Sequence, residues 1–196
     1  MIIILPDEFN ADDTRLKDNL LIKYPCNYDR IWKNLINKLL LNYKMFDLIF
    51  SEDTDENNMS GEILHEYMFL QDKLKKIEME IQDTSNFLTS LSEVDGAIVI
   101  TDKLRLLGFG SEVTAKPNIP NLIKIANDRN GVFGNYLPID SYGTRHRAAF
   151  RFCYNFENSV VFVISQDGSL RAVKKDDDDL VLWQDLGLFS DIVINS

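Results

Sequence analysis

The segment Tyr142–Ala149 reads YGTRHRAA and contains the residue types of a phosphate-binding helix start. Gly143 and Thr144 stand where the N-cap of a helix is expected, so the backbone N–H groups of its first turn and the Thr144 hydroxyl would point into one small volume. Arg145 and Arg147 can both bend toward that end and place two guanidinium groups around it. Such a volume favours the binding of a phosphate.

His146 lies between these arginines and is one of only two histidines in the chain. A single histidine on a helix is usually structural, but a glycine-initiated helix start between two cations favours a site residue. The other histidine, His65, has no such surroundings, and we interpret it as an ordinary helical residue.

A second segment whose residues could bind or act on a ligand is Val94–Val99. There, Asp95 directly precedes a predicted strand and is followed by Gly96 and Ala97. A residue without a side chain and a residue with only a methyl group would let a flat ligand lie against bare backbone. An Asp-Gly pair is also the ordinary signal of a turn that enters a strand. This segment alone leaves both interpretations open.

Together, the two segments resemble the DGA and RHR signature motifs of the diadenylate cyclase (DAC, DisA_N) domain, and the resemblance runs from about Leu91 to Leu186. It implies an α/β domain in which a mixed, twisted central β-sheet is flanked by helices. In the enzymes of this family, two such domains face each other, each with one ATP, and condense the two ATP molecules to cyclic di-AMP and pyrophosphate.

The resemblance also implies a role for each matching residue. Asp95 would be the catalytic residue and the metal ligand: it would help to hold Mg²⁺ or Mn²⁺ and activate the ribose 3′-hydroxyl. Gly96 and Ala97 would line the nucleotide. The remaining nucleotide-binding residues, which would contact the phosphates, are Gly143, Thr144, Arg145, His146, Arg147 and Ser165. In phosphoryl transfer, a metal and positioned cations neutralise charge in this way.

Three features depart from the cyclases. Where the cyclases read Ser-Glu-Glu-Thr-Gly, residues 165–168 read SQDG, and the amide of Gln166 is a poor ligand for a hard cation. Asp95 and Thr144 are 49 positions apart, a longer separation than in the cyclases. Leu107–Val113 reads LGFGSEV instead of the cyclase sequence. These features look more like the DACNV branch of the superfamily, which is predicted to be a sensor.

Two functions therefore stand as alternatives. The first is a DAC-fold module that senses an adenine nucleotide or a cyclic (di)nucleotide and needs no cofactor. The second is a diadenylate cyclase that uses a divalent metal in a face-to-face dimer. A scaffold with an empty pocket is disfavoured, because two arginines and a histidine would then repel one another without compensation.

The elements that must position these residues are predicted from the hydrophobic pattern of residues 93–196, the expected nucleotide-binding domain. Thr144–Phe156 has helical spacing, and Lys116–Pro138 is expected to be a long, partly irregular connection with a short helix near Ile119–Asn127. Asp167-Gly168 is a hairpin signal. The predicted strands are Ala97–Ile100, Leu104–Phe109, Val160–Ser165, Leu170–Lys174 and Leu180–Trp183.

Residues 1–92 are predicted to form an N-terminal helical region that packs on this domain or mediates partner contacts. Amphipathic spacing indicates helices at Tyr28–Leu41 and Ile63–Leu91, separated by the polar segment Ser51–Ser60. The apolar stripe of the second helix suits either a homodimer or partner-protein surface or simple packing on the core. Met1–Asn10 suits an edge strand or a docked terminus.

Composition limits the partners. The chain has 196 residues and a net charge of −10, which repels nucleic acid backbones. No apolar run approaches the roughly 20 residues that cross a bilayer, and the first residues lack the basic segment of a secretory signal. We therefore expect a cytoplasmic protein without nucleic acid or membrane partners.

The remaining conspicuous residues have plain interpretations. Cys26 and Cys153 have no neighbour at metal-ligand spacing and are expected to be reduced. The acidic run Asp176–Asp179 is expected to be a solvated turn, because calcium loops place their carboxylates at alternate positions. Trp32 and Trp183 are expected to be core residues.

Overall fold

The computed structural model describes residues 1–50, 61–128, 130–131, 134–165, 168–184 and 186. The chain divides into two compact units, one made of Met1–Tyr28 and Leu91–Ser196 and the other of Asp29–Ser90. The boundary between Ser90 and Leu91 is close to the domain boundary predicted after residue 92. Residues 1–28, however, belong to the sheet unit and not to a helical N-terminal region.

The first unit is an α/β fold built on a mixed sheet whose described strands run in the order β2-β5-β4-β1-β8-β9-β10-β6-β7, with β3 paired to β5. Neighbours are antiparallel except for the pairs β1 with β4 and β6 with β10. The strands are β1 Ile2–Leu5, β2 Leu20–Leu21, β3 Tyr24–Tyr28, β4 Ala97–Thr101, β5 Leu106–Val113, β6 Leu122–Ala126, β7 Gly134–Pro138, β8 Val160–Ile164, β9 Leu170–Asp176 and β10 Asp179–Trp183. The helices of this unit are α1 Thr14–Lys17 and α4 Thr144–Asn155, with a 3₁₀ turn at Ile139–Ser141.

Strand β1 lies in the middle of the sheet, so the prediction of an edge strand or a docked terminus was wrong. Ile2 pairs with Ile98 of β4 on one side and with Phe162 of β8 on the other. Ile3 and Leu5 are almost completely buried. An apolar, β-branched run without polar alternation is typical of a central strand, which is the position that β1 occupies.

The segment near Ile119–Asn127 forms strand β6 rather than the predicted short helix. Ile123 and Ile125 are buried while Leu122 is exposed, which is the period of two expected for a strand. Val181 of β10 pairs with Lys124 in parallel register, and β7 pairs on the other side. This non-local pairing replaces the weak local helical preference.

The predicted irregular connection Lys116–Pro138 contains a second strand, β7, which pairs with β6. The predicted helix and the five predicted strands of residues 93–196 are confirmed, with changes at their ends. The acidic run Asp176–Asp179 forms the turn between β9 and β10, where Asp176 and Asp179 are paired. Asp167, half of the predicted hairpin signal, lies outside the described residues. Trp183 is partly buried and its indole N–H donates to the Asp128 carbonyl at 3.1 Å.

Helix α4 is fixed on the sheet by the large side chains of one face. Phe150 and Phe152 are fully buried, as are Ala149 and Cys153, and the helix packs on β8 and β9. The Cys153 thiol donates to the Val173 carbonyl at 3.4 Å, and burial raises its pKa to about 12. Cys153 is therefore an unreactive core residue, and Cys26 is also a free thiol.

The second unit contains two helices, α2 Arg30–Phe50 and α3 Gly61–Leu91, and both are longer than predicted. An ion pair of 2.8 Å joins Lys38 of α2 to Glu78 of α3. The predicted polar segment Ser51–Ser60 lies outside the described residues. No helix in the described ranges is both long and apolar enough to cross a membrane.

Helix α2 leaves exposed most of the apolar residues whose spacing predicted it. Among them is Trp32, which is 40% exposed, so the prediction that it is a core residue was wrong. The stripe of α3 is buried or half-buried at Tyr67, Leu70 and Ile77, although Leu64 is exposed.

Candidate functional site

The N-terminus of α4 opens onto a cleft of about 1080 Å³ in the first unit. Gly143 is the N-cap in extended backbone, and no side chain caps this end of the helix. A Cβ atom built on Gly143 would meet nothing within 4 Å. The first helical turn therefore has N–H groups that no side chain caps beside open space, which is the arrangement that binds anions.

The cleft lies where several strands end beside this helix. Residues just before β4 and just after β8 line the cleft, together with the last residues of β5. Most of the residues predicted from the sequence are brought together here: Asp95, Gly96, Gly143, Thr144, Arg145, His146 and Ser165. The described lining also includes Met1, Lys23, Ser111, Glu112, Val113, Ser141, Tyr142, Ala148, Arg151, Val163, Ile164 and Arg171.

Two predicted residues lie elsewhere. Ala97 is almost completely buried in the core and pairs with Ser111 on β5, so its methyl group does not line the cleft. Arg147 lines an adjoining hollow of about 420 Å³ together with Asp140, and Thr144 and Arg151 border both this hollow and the cleft. Residues two apart on a helix point to different sides, and α4 sends Arg145 to the cleft and Arg147 to the hollow.

The geometry of the sheet explains why residue 96 is a glycine. Its φ is +123°, and a Cβ atom there would lie 2.5 Å from the carbonyl carbon of Gly110 in β5. The close approach of the two strands therefore requires glycine at this position, whether or not a ligand also contacts its backbone.

His146 is held in a defined orientation by polar groups on its Nε2 atom. The Arg171 Nη1 group lies 3.5 Å from Nε2 and the Ser165 Oγ atom lies 3.2 Å from it. The Arg171 and Ser165 groups thus hold the imidazole ring beside the cleft.

Cations outnumber carboxylates around the cleft, although the chain as a whole has a net charge of −10. The described lining has Lys23, Arg145, Arg151 and Arg171, against the carboxylates of Asp95 and Glu112. Burial lowers the pKa of the Met1 amino group, and the positive charge of Arg145 lowers it further. The local balance of charge favours an anionic ligand.

At the cleft, the Oγ atom of Ser111 and the Nε atom of Arg151 have no hydrogen-bond partner among the described residues. Ser111 is 1% exposed, and its Oγ atom is unpartnered. The Nε atom of Arg151 is buried and likewise unpartnered. Buried donors are almost always bonded in native proteins, so a ligand that accepts hydrogen bonds would complete both.

The metal predicted at Asp95 has an incomplete protein site. Within the described ranges no group of three metal-ligating side chains exists, and Gln166 and Asp167 lie outside those ranges. Glu112 also lines the cleft and lies 3.7 Å from Lys23. Mg²⁺ commonly takes one or two carboxylates and completes its shell with phosphates and water, so Asp95 fits a metal that enters with a nucleotide.

Sequence reasoning missed Lys23, Ser111, Arg151 and Arg171. Arg151 had a local signal, because it follows Thr144 by seven residues and so lies on the same face of α4 two turns later. Arg171 reaches the site because β9 pairs with β8, placing Arg171 opposite Val163. Ser111 lies in β5, and Lys23 lies between β2 and β3, which both pair with β5. The sequence has no local signal for these pairings.

Comparisons of this chain with protein-family models, with curated proteins and with solved structures find no match. The geometry and chemistry of the cleft are therefore the basis for a functional proposal.

Proposed function

We propose that this chain is a nucleotide-binding module that holds an adenine nucleotide or a cyclic (di)nucleotide in the cleft at the start of α4. The observation that carries the proposal is the convergence of an uncapped helix N-terminus with Arg145, Arg151 and the unpartnered hydroxyl of Ser111. All of these groups are donors, and phosphate oxygens are the acceptors that suit them best.

Different side chains of the cleft would bind different parts of the nucleotide. Arg145 is exposed at the first turn of α4 and would pair with a phosphate above the helix N–H groups. Arg171 and Ser165 hold the ring of His146 in place beside the cleft. Asp95 is exposed at the entrance of β4, where a carboxylate would accept from ribose hydroxyl groups.

The size and polarity of the cleft agree with this ligand class. A volume of about 1080 Å³ is at the upper end of the range for small-molecule sites. The resemblance of the DGA and GTRHRAA segments to the DAC superfamily supports an adenine nucleotide among phosphate-bearing molecules.

A diadenylate cyclase is the second candidate, and Asp95 favours it. A carboxylate beside phosphates repels them unless a metal lies between. A bound Mg²⁺ or Mn²⁺ would neutralise phosphate charge, and Asp95 would hold that metal and orient the ribose 3′-hydroxyl. The reaction would join two ATP molecules, so it requires a second chain facing the first.

Calorimetric titration with ATP and with cyclic di-AMP, each with Mg²⁺ or Mn²⁺, tests the proposal. We expect Arg145→Ala to weaken binding at least about tenfold, because a lost charge-assisted hydrogen bond removes more than about 1.4 kcal/mol. Arg147→Ala is the matched control. It removes the same charge two residues away, but the Arg147 side chain lines the adjoining hollow and not the cleft. Binding should therefore change less than about threefold.

The same samples, chromatographed after incubation, distinguish the two candidates. Binding without product indicates a sensor. Cyclic product that disappears in Asp95→Asn indicates the cyclase. If neither nucleotide binds, or if both arginine variants weaken binding equally, the proposed site is wrong.

A further inference from the structure

Helix α2 has two apolar seams. The first consists of Ile31, Leu41, Met45 and Leu48, interrupted by the polar Asn34 and Lys38, and these side chains are buried or half-buried. The second, here called the outer seam, consists of Trp32, Ile36, Leu39, Tyr43, Phe46 and Phe50. Its members follow one another at alternating steps of four and three residues, which is the spacing of a helix that packs lengthwise against another helix.

The outer seam is exposed along its whole length. Its six side chains are between 36 and 67% exposed, and Leu35 and Leu40 at its borders are 37 and 54% exposed. The rings of Phe46 and Phe50 lie 4.5 Å apart, so the end of the seam is a continuous aromatic surface. At on the order of 200 Å² for each large side chain, this is roughly 800 Å² of apolar surface, about one side of a standard protein interface and more than a typical monomer exposes.

The charge pattern of α2 indicates what covers this surface. Residues 30–50 contain four basic side chains and one acidic side chain, and none belongs to the outer seam. These charges lie mainly on the other exposed faces of α2, which would oppose like charges if they met their own copies. The outer seam is the exposed apolar face that can meet its own copy without charge repulsion.

We propose that the outer seam joins two copies of this chain, with α2 of one copy packed against α2 of the other. A two-fold axis would bring the same residues together from both sides. Two helical pairs would then form a four-helix bundle, in which a hairpin that cannot bury both faces alone gains a core. This contact is independent of any nucleotide.

The mass of the full chain in solution, without nucleotide, tests the proposal. At about 50 µM, well above the Kd expected of an interface of this size and apolarity, light scattering should give twice the mass of one chain. Leu39→Glu should give the mass of one chain, because it places a charge within the apolar contact. Asn37→Glu, which adds the same charge to an exposed position outside the seam, should leave the dimer intact.

Disulfide trapping separates a lost contact from a misfolded variant. In a Cys26→Ser background, oxidation of Leu39→Cys or Tyr43→Cys should form a covalent dimer, since these residues lie near the middle of the seam. Asn37→Cys should not form one. A wild-type chain that is monomeric, a dimer unaffected by Leu39→Glu, or equal trapping at position 37 would each overturn the proposal, whatever else covers the seam.

Discussion

Ser111 is buried beside the cleft, and its hydroxyl group has no hydrogen-bond partner within the described part of the chain. Leaving a buried hydroxyl unpaired destabilises a protein by about 1–3 kcal/mol. We therefore predict that Ser111→Ala leaves the free energy of unfolding of the ligand-free protein unchanged or raises it by about 1 kcal/mol, while it weakens nucleotide binding. Urea unfolding and calorimetry measure the two effects.

A decrease in the free energy of unfolding by more than about 1 kcal/mol would contradict this prediction. That result would mean that the hydroxyl has a structural partner rather than a ligand.

Gly96 and Gly143 both belong to the predicted motifs, but the structure gives them different constraints. Gly96→Ala should lower the free energy of unfolding by more than about 2 kcal/mol, because a Cβ atom at φ +123° would collide with the Gly110 backbone. Gly143→Ala should lower it by less than about 1 kcal/mol, since its backbone is extended and the space around it is open. Thermal unfolding of the pair checks both, and equal losses would contradict the assigned difference.

At the scale of elements, the loop after β1 is tied to the β4–β5 turn by a cluster around Asp7. The Asp7 carboxylate accepts from the Thr101 hydroxyl at 2.9 Å and from Arg105 Nε at 3.3 Å, and it lies 3.2 Å from the Lys103 ammonium. Arg105 also donates to the Asp7 and Phe9 carbonyls. Partial burial raises the pKa of Asp7, but these hydrogen bonds outweigh it, and the pKa is lowered overall.

This cluster should make stability depend on pH. Because the folded-state pKa of Asp7 is below its unfolded value of about 3.9, the carboxylate stabilises the fold above that pH and loses its effect as the pH falls through the folded pKa. We predict that Asp7→Asn lowers the free energy of unfolding by about 1 kcal/mol at pH 7 and by progressively less as the pH falls below about 3.9. Unfolding curves at pH 7 and at a series of acidic pH values measure this, and a constant difference would contradict the assigned role.

At the scale of the whole molecule, the sheet depends on a strand from the far end of the sequence. β1 lies between β4 and β8, so a fragment of residues 93–196 lacks the centre of its sheet and leaves one edge of β4 and one edge of β8 unpaired. We predict that this fragment shows no cooperative unfolding transition by circular dichroism.

The matched variant keeps residues 1–28 and replaces 29–90 with a Gly-Ser linker of about 15 residues. It retains every strand of the sheet unit and should unfold cooperatively. Cooperative unfolding of the 93–196 fragment, or its absence from the linked variant, would contradict the division into these two units.

Much of the fold was predictable because its signals are local. The helical spacing of Thr144–Phe156, the hairpin at β4 and β5, and the turn at Asp176–Asp179 all follow from residues close in sequence. The same holds for the candidate site: the glycine-initiated helix start and the Asp-Gly pair are short motifs. The structure brings most of their residues to one cleft.

Neighbouring residues and composition were enough to predict most types of element, the start of α4 and the acidic net charge, because these properties are local or additive. The tertiary structure alone decided that β1 is central, that β6 is a strand, and that Lys23, Ser111 and Arg171 meet at the cleft. It also decided which apolar stripe of α2 is covered and which is exposed. These outcomes depend on contacts between residues far apart in sequence, and strand pairing and side-chain burial are set by those contacts rather than by local preference.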